Sequence, residues 1–148
     1  MSQSKTEEKQ YHSDLFTEAL KFAAEAHQTQ SRKKTEIPYI SHLMAVSGIV
    51  MEAGGNETTW IAALLHDSIE DTKNTLADVE ACFGADVARI VKACSDYDPA
   101  TDGSIKPSWH VRKSTHLEHL RKERQDVLLV TVADKIHNGE SILNDLET

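Results

Sequence analysis

Residues 61–72 read IAALLHDSIEDT, an apolar helical run that ends in a cluster of titratable groups. Ile61, Leu64, Leu65 and Ile69 recur at helical spacing, which predicts an amphipathic or buried helix from about Glu57 to Asp71. His66, Asp67, Glu70 and Asp71 crowd its last turn. Carboxylates at a helix C-terminus oppose the macrodipole, and Asp67 and Asp71 repel at i,i+4. An ending of this kind needs a compensating positive charge.

The rest of the chain is also patterned as helix. Residues 13–29, opening at Ser13 as a candidate N-cap, carry Leu15, Phe16, Ala19, Leu20, Ala23 and Ala26 on one face. Pro38 precedes a second helix over 39–53, with Ile40, Leu43, Met44, Val46, Val50 and Met51 as its buried side. Gly54 and Gly55 stop it in the manner of a C-cap. Two shorter helices near 75–83 and 85–95 are divided by Gly84, and residues 96–107 form a loop rich in Asp, Pro and Gly. Helices over about 108–122 and 126–146 close the chain. The stretch VLLVTVA (127–133) has strand propensity, but no second strand is available to pair with it. The reading is an all-α, single-domain protein, with a flexible segment at 1–12 before a domain at 13–148.

Composition narrows the function classes. A chain of 148 residues with 39% hydrophobic and 27% charged residues is an ordinary soluble globule with a core of useful size. No apolar run has the length of a membrane span, and the N-terminal MSQSKTEEKQYHS lacks the apolar centre of a signal peptide, so a cytoplasmic protein without a membrane partner is expected. Cys82 and Cys94 are isolated and are read as reduced core residues. A formal net charge of −8 argues against a nucleic-acid partner but not against a small anion held by a local basic patch.

Two further polar residues sit in apolar surroundings. His42 lies within YISHLMAV, and Asp134 follows VLLVTVA, where an unpaired carboxylate would be costly to bury. Neutral imidazoles and carboxylates buried together are what a divalent cation requires. A cation at His42, His66, Asp67 and Asp134 would offset both the carboxylate repulsion and the unfavourable dipole of the 57–71 helix. Two nitrogens with two oxygens suit Mn, Fe or Zn better than Ca or Mg.

The series His42…His66-Asp67…Asp134 resembles the HD metal-dependent phosphohydrolase superfamily, an all-α helical bundle with its metal site between helices. The segments HQTQSRKKTEIPYISH, AALLHDSIEDT, KPSWHVRK and LLVTVADKIHN, in that order over residues 14–146, are similar to its alarmone-hydrolase branch, the hydrolase half of RelA/SpoT proteins and their small stand-alone relatives. Members of that branch continue for several helical turns beyond the position of Thr148, so part of the nucleotide pocket is expected to be missing or differently built.

The resemblance implies Mn²⁺ at His42, His66, Asp67 and Asp134, with removal of the 3′-pyrophosphate from (p)ppGpp as the reaction. Glu70, one helical turn beyond His66, would with Asp71 orient and deprotonate the attacking water. Asn138, at i+4 from Asp134, matches the residue that contacts the nucleotide sugar; Lys135 and His137 belong to the same motif and are read as its support. Arg32 and Lys33 match the Arg-Lys pair near the guanine, and a guanidinium can stack on a purine. Residues 104–124 carry six Lys or Arg against two Glu; Arg112 and Lys113 match the family's phosphate contacts, while Arg121, Lys122 and Arg124 are read as a solvated helix end. Trp109 is expected to anchor packing, and His12, His27, His110, His116 and His119 to take surface or core roles. The alternatives are an HD phosphohydrolase acting on NADPH, adenosine alarmones or simple nucleotides, and a metal-bound but inactive nucleotide sensor.

Overall fold

The computed structural model describes residues 7–95, 106–120 and 124–147. Among them are eight helices: α1 (Asp14–Ala26), α2 (Ile40–Glu52), α3 (Glu57–Leu65), α4 (Ser68–Asp71), α5 (Leu76–Phe83), α6 (Ala85–Cys94), α7 (Trp109–Leu120) and α8 (Gln125–Glu147). There is no strand among the described residues, only an isolated antiparallel bridge between Ser31 and Pro38. The all-α expectation holds, and VLLVTVA lies inside α8. No described helix is long and apolar enough to cross a membrane.

The centre of the bundle is α3, which packs against α1, α2, α6 and α8. Its sequence ETTWIAALL leaves Ile61 through Leu65 buried without a break, so it faces neighbours on all sides. Each large apolar side chain removed from water here, such as Leu64 or Leu65, contributes about 1.5–3 kcal/mol. α2 lies against it through Leu43, Val46 and Val50, and α1 approaches through the small Ala19 and Ala23. The α2–α3 turn is tight. Gly54 takes a φ of 88°, and a Cβ on Gly55 would come within 2.6 Å of Val50 Cγ1, so both positions require glycine. Trp60 Nε1 donates to the Gly55 carbonyl at 2.7 Å and Ser47 Oγ to the Trp60 carbonyl at 3.0 Å, fixing the two helices. Asn56 caps α3 by accepting from Thr59 N, and Thr75 with Asp78 forms a capping box on α5.

Several expectations change in the structure. The helix expected over 57–71 stops at Leu65; His66 and Asp67 form a turn, and Ser68–Asp71 is a separate helical turn. His66 and Asp67 both line the same cleft. Ser13 precedes α1 without capping it, because its hydroxyl and backbone N–H both donate to Glu57. Met44 is exposed, since the face of α2 defined by His42, Val46 and Val50 points toward α3 and α8 and Met44 lies off it. Leu15, a turn before Ala19, lies past the edge of the core. Trp109 and Cys82 are exposed rather than packed, and Cys94 is half-buried; both cysteines are free. The expected loop at 96–107 lies, apart from 106–107, outside the described residues, as do Arg121 and Lys122.

Candidate active site

Four side chains from α2, the α3–α4 turn and α8 meet at one point. A donor atom from each of His42, His66, Asp67 and Asp134 lies within 4.8 Å of every other. His42 Nε2 is 2.8 Å from Asp134 Oδ1 and 3.9 Å from Asp67 Oδ2; His66 Nε2 is 3.1 Å from Asp67 Oδ2 and 3.2 Å from Asp134 Oδ1. Ligands bonded at about 2.0–2.2 Å to one ion stand roughly 3 Å apart at right angles and about 4.2 Å apart when opposite, so this spacing suits a shared cation.

The hydrogen bonds on the far side of the rings support the fit. His66 Nδ1 lies 2.6 Å from the Ala63 carbonyl, which can only accept, so Nδ1 carries the proton. A neutral His66 therefore aims the Nε2 lone pair at two carboxylates, an arrangement that is repulsive unless a proton or a cation lies between. Burial opposes charging His66, but Asp67 and Asp134 outweigh it and lift its pKa well above the ordinary value. Burial likewise opposes ionisation of Asp67, yet His66 and the Tyr39 hydroxyl hold it at about 2. Asp134 is pulled below the usual carboxylate range by His42 and His66 against the effect of its burial. The centre is thus poised to hold positive charge.

One cleft opens on this centre and a second lies beside it. The smaller, about 60 Å³, is lined by His66, Asp67, Glu70, Asp134, Lys135, Cys94, Lys113 and His116, among others. It has room for an ion and about one or two waters, not a nucleotide. Burial pushes the Cys94 thiol up to about 11, so it stays a thiol. The larger cleft, about 460 Å³, is lined by Arg32, Lys33, Tyr39, Asn138 and Ser141 among others, a volume in the range of small-molecule sites. The loop that carries Arg32 is closed by Arg32 N to Ile37 O at 2.8 Å and Tyr39 N to Gln30 O at 2.9 Å. Arg32 Nη2 donates to Asn138 Oδ1 at 3.1 Å and to Ser141 Oγ at 3.2 Å. Tyr39 links the clefts, lining the larger while donating to Asp67 Oδ2 at 2.5 Å.

The structure thus gathers the four candidate ligands with Glu70 and Lys113, and places Arg32, Lys33 and Asn138 beside them. Asp71 is exposed and accepts from Gln30 Nε2 at 3.4 Å; burial of its inner side and then the Asp67 charge raise its pKa. Arg112 is not among the residues lining either cleft; its Nε donates to the Pro107 carbonyl at 3.2 Å. Side chains without a site role in the sequence reading also appear. Tyr39 and Ser141 each stand three residues from His42 and Asn138, so helical spacing could have found them; His137, read as support of its motif, meets His42 Nδ1 at 2.7 Å. Buried His27 reaches Gln30 Oε1 through Nδ1 at 2.7 Å, and Gln30 then reaches Asp71 across 41 positions of sequence, for which the sequence carries no signal.

Residues 19–147 match the family described as HD domain. A Xenopus tropicalis protein, guanosine-3′,5′-bis(diphosphate) 3′-pyrophosphohydrolase MESH1, is 41% identical over 127 residues, covering 84% of this chain and 67% of that protein. The bifunctional (p)ppGpp synthase/hydrolase SpoT of Escherichia coli K12 is 39% identical over 126 residues, 81% of this chain but 17% of that protein. A solved structure reported as a metazoan ortholog of SpoT that hydrolyzes ppGpp superimposes with a TM-score of 0.77 at 35% identity, covering 88% of this chain and 71% of that one. The His66-Asp67 pair at the centre of the bundle and the extent of these matches lead to one assignment: the chain belongs to the HD domain family, in the group of the guanosine-3′,5′-bis(diphosphate) 3′-pyrophosphohydrolases.

Proposed function

We propose that the chain hydrolyses (p)ppGpp to GDP or GTP and pyrophosphate, with Mn²⁺ held by His42, His66, Asp67 and Asp134. The observation that carries this reading is the convergence of the four donor atoms, three of whose residues, His66, Asp67 and Asp134, line a cleft together with Glu70. A divalent cation supplies Lewis acidity there, lowering the pKa of a coordinated water and offsetting charge on the phosphates. Glu70 faces that space and takes the proton from the attacking water, while Asp71 helps orient it. The water oxygen bonds to the phosphorus on the 3′ oxygen, the bond from that phosphorus to the 3′ oxygen breaks, and the 3′ oxygen gains a proton as pyrophosphate leaves. Arg32 and Lys33 hold the base, Asn138 the ribose, and Lys113 the pyrophosphate. A soluble nucleotide substrate and two free cysteines fit the cytoplasm.

The test is an assay of the purified protein with Mn²⁺ on ppGpp, pppGpp, NADPH and nucleoside monophosphates, with products resolved by chromatography. Pyrophosphate with GDP or GTP is the expected outcome. NADPH cleaved at least as efficiently as ppGpp overturns the substrate, and bound metal with no turnover on any substrate favours a sensor.

A further inference from the structure

The two histidines of the centre are fixed by different partners. His66 Nδ1 rests on the Ala63 backbone carbonyl, so its tautomer is set by an obligate acceptor. His42 has no such anchor. Its Nδ1 lies 2.7 Å from Nδ1 of His137, a group able to accept or donate, and its Nε2 lies 2.8 Å from Asp134 Oδ1. Two tautomer arrangements satisfy this chain. In one, His137 donates to His42 Nδ1 and His42 Nε2–H donates to Asp134, which leaves no lone pair for a metal. In the other, His42 Nδ1–H donates to His137 Nδ1, and the His42 Nε2 lone pair faces the centre.

We infer that His137 is a positioning residue that accepts a hydrogen bond from His42 Nδ1 and so commits the His42 Nε2 lone pair to the metal. The helix makes this possible, because His137 stands three residues after Asp134 on α8 and one residue before Asn138. One turn of α8 therefore supplies a ligand, the partner of a second ligand, and a residue of the larger cleft. His42 is 1% exposed with His137 in place, so its ring is oriented by protein groups rather than by bulk water. Outer partners of ligating histidines typically set metal affinity by about 10–100-fold.

The inference rests on the proposed metal reading, and the test separates the two. Dissociation constants for Mn²⁺ are measured by calorimetry on wild type, His137→Asn, His137→Phe and His66→Ala, with melting temperatures of the metal-free proteins alongside. Asparagine places its carbonyl oxygen near the position of imidazole Nδ1 and keeps the acceptor; phenylalanine keeps the ring and loses it. His137→Asn should bind Mn²⁺ within about threefold of wild type, and His137→Phe about 10–100-fold more weakly. A purely structural role would reverse this order, since Phe preserves more of the packing. His137→Ala gives the same comparison if the apolar ring does not fold. In the Zn²⁺-loaded proteins, ¹⁵N shifts should show His42 protonated at Nδ1 in wild type and His137→Asn. Mn²⁺ affinity of the Phe and Ala variants equal to wild type, with His66→Ala impaired, overturns the role of His137 alone. Wild type and His66→Ala binding Mn²⁺ alike, or not at all, overturns the metal reading together with it.

Discussion

The floor of the site and its rim are held by different means. His42 and His66 are 1% and 4% exposed, and they sit on or beside helices whose neighbours in sequence are core residues such as Leu43, Val46, Leu64 and Leu65. The rim is half-buried or exposed and held by side-chain contacts: Arg32 by Asn138 and Ser141, Asp71 by Gln30. A buried histidine cannot move without disturbing packing, whereas a rim residue can shift at the expense of one or two hydrogen bonds. The floor should therefore respond to mutation with loss of metal and of fold stability together, and the rim with graded changes in substrate handling.

The largest effect belongs to the floor. His66→Ala or Asp134→Ala should abolish stoichiometric Mn²⁺ binding and lower the melting temperature measured with metal, because ligand binding to the native state stabilises by mass action. A saturating metal at 100 times its dissociation constant contributes about 2.7 kcal/mol, all of which these variants should lose. Metal content equal to wild type in both would show that the floor is not a metal centre.

Glu70 lies between floor and rim, half-buried and lining the small cleft without belonging to the four-atom cluster. Glu70→Gln should keep wild-type metal content and melting temperature while kcat falls by about 10²–10⁴-fold, the usual cost of losing a general base. A variant that loses metal would move Glu70 into the floor.

The same division explains what the sequence revealed. His42 and Asp134 were conspicuous because each is a polar residue in an apolar helical run, and burying such a group requires a partner. The helices were legible from their periodicity and from Pro38, Gly54 and Gly84. The break at His66-Asp67 was not; there Tyr39 meets Asp67 across 28 positions of sequence, a contact that no local pattern encodes. Gln30 was equally hidden, being linked to Asp71 only through the fold. Lys113 and Arg112 are neighbours in sequence, yet of the two only Lys113 lines either of the two clefts described, which the sequence alone does not tell apart.

On the rim, Arg32→Ala should raise KM for ppGpp about tenfold with a smaller change in kcat, as expected for the loss of about 1.5 kcal/mol of uniform binding by a charged donor. The same variant leaves Asn138 and Ser141 without the guanidinium that spans them, so the KM effect should not be rescued by lysine, which lacks the fork. Lys113→Ala should weaken turnover more than Arg112→Ala, and more strongly at low than at high salt, because a partly exposed charge is screened. Arg112→Ala as the more damaging of the two would mean that α7 changes its facing when substrate binds.

The smallest effect probes what joins floor to rim. α8 carries Asp134 to the one and Asn138 to the other, and its first turn is tied to α6 by Arg89 Nη2 donating to Asp126 Oδ2 at 2.6 Å. Asp126 Oδ1 also accepts from Val127 N at 2.8 Å, and a carboxylate in the first turn of a helix is favoured by the macrodipole. The Arg89 hydrogen bond is the first cause of a pKa held below the ordinary carboxylate value. A carboxyl depressed in the folded state stabilises above its unfolded pKa, and that stability is lost as pH falls through the folded pKa. Asp126→Asn should thus cost about 0.5–1 kcal/mol at neutral pH, as for a partly exposed ion pair. Urea unfolding at stepped pH should show the gap between wild type and variant shrinking below the unfolded carboxyl pKa of about 3.9 and closing in stronger acid. A gap that stays constant with pH would assign the loss to packing rather than charge.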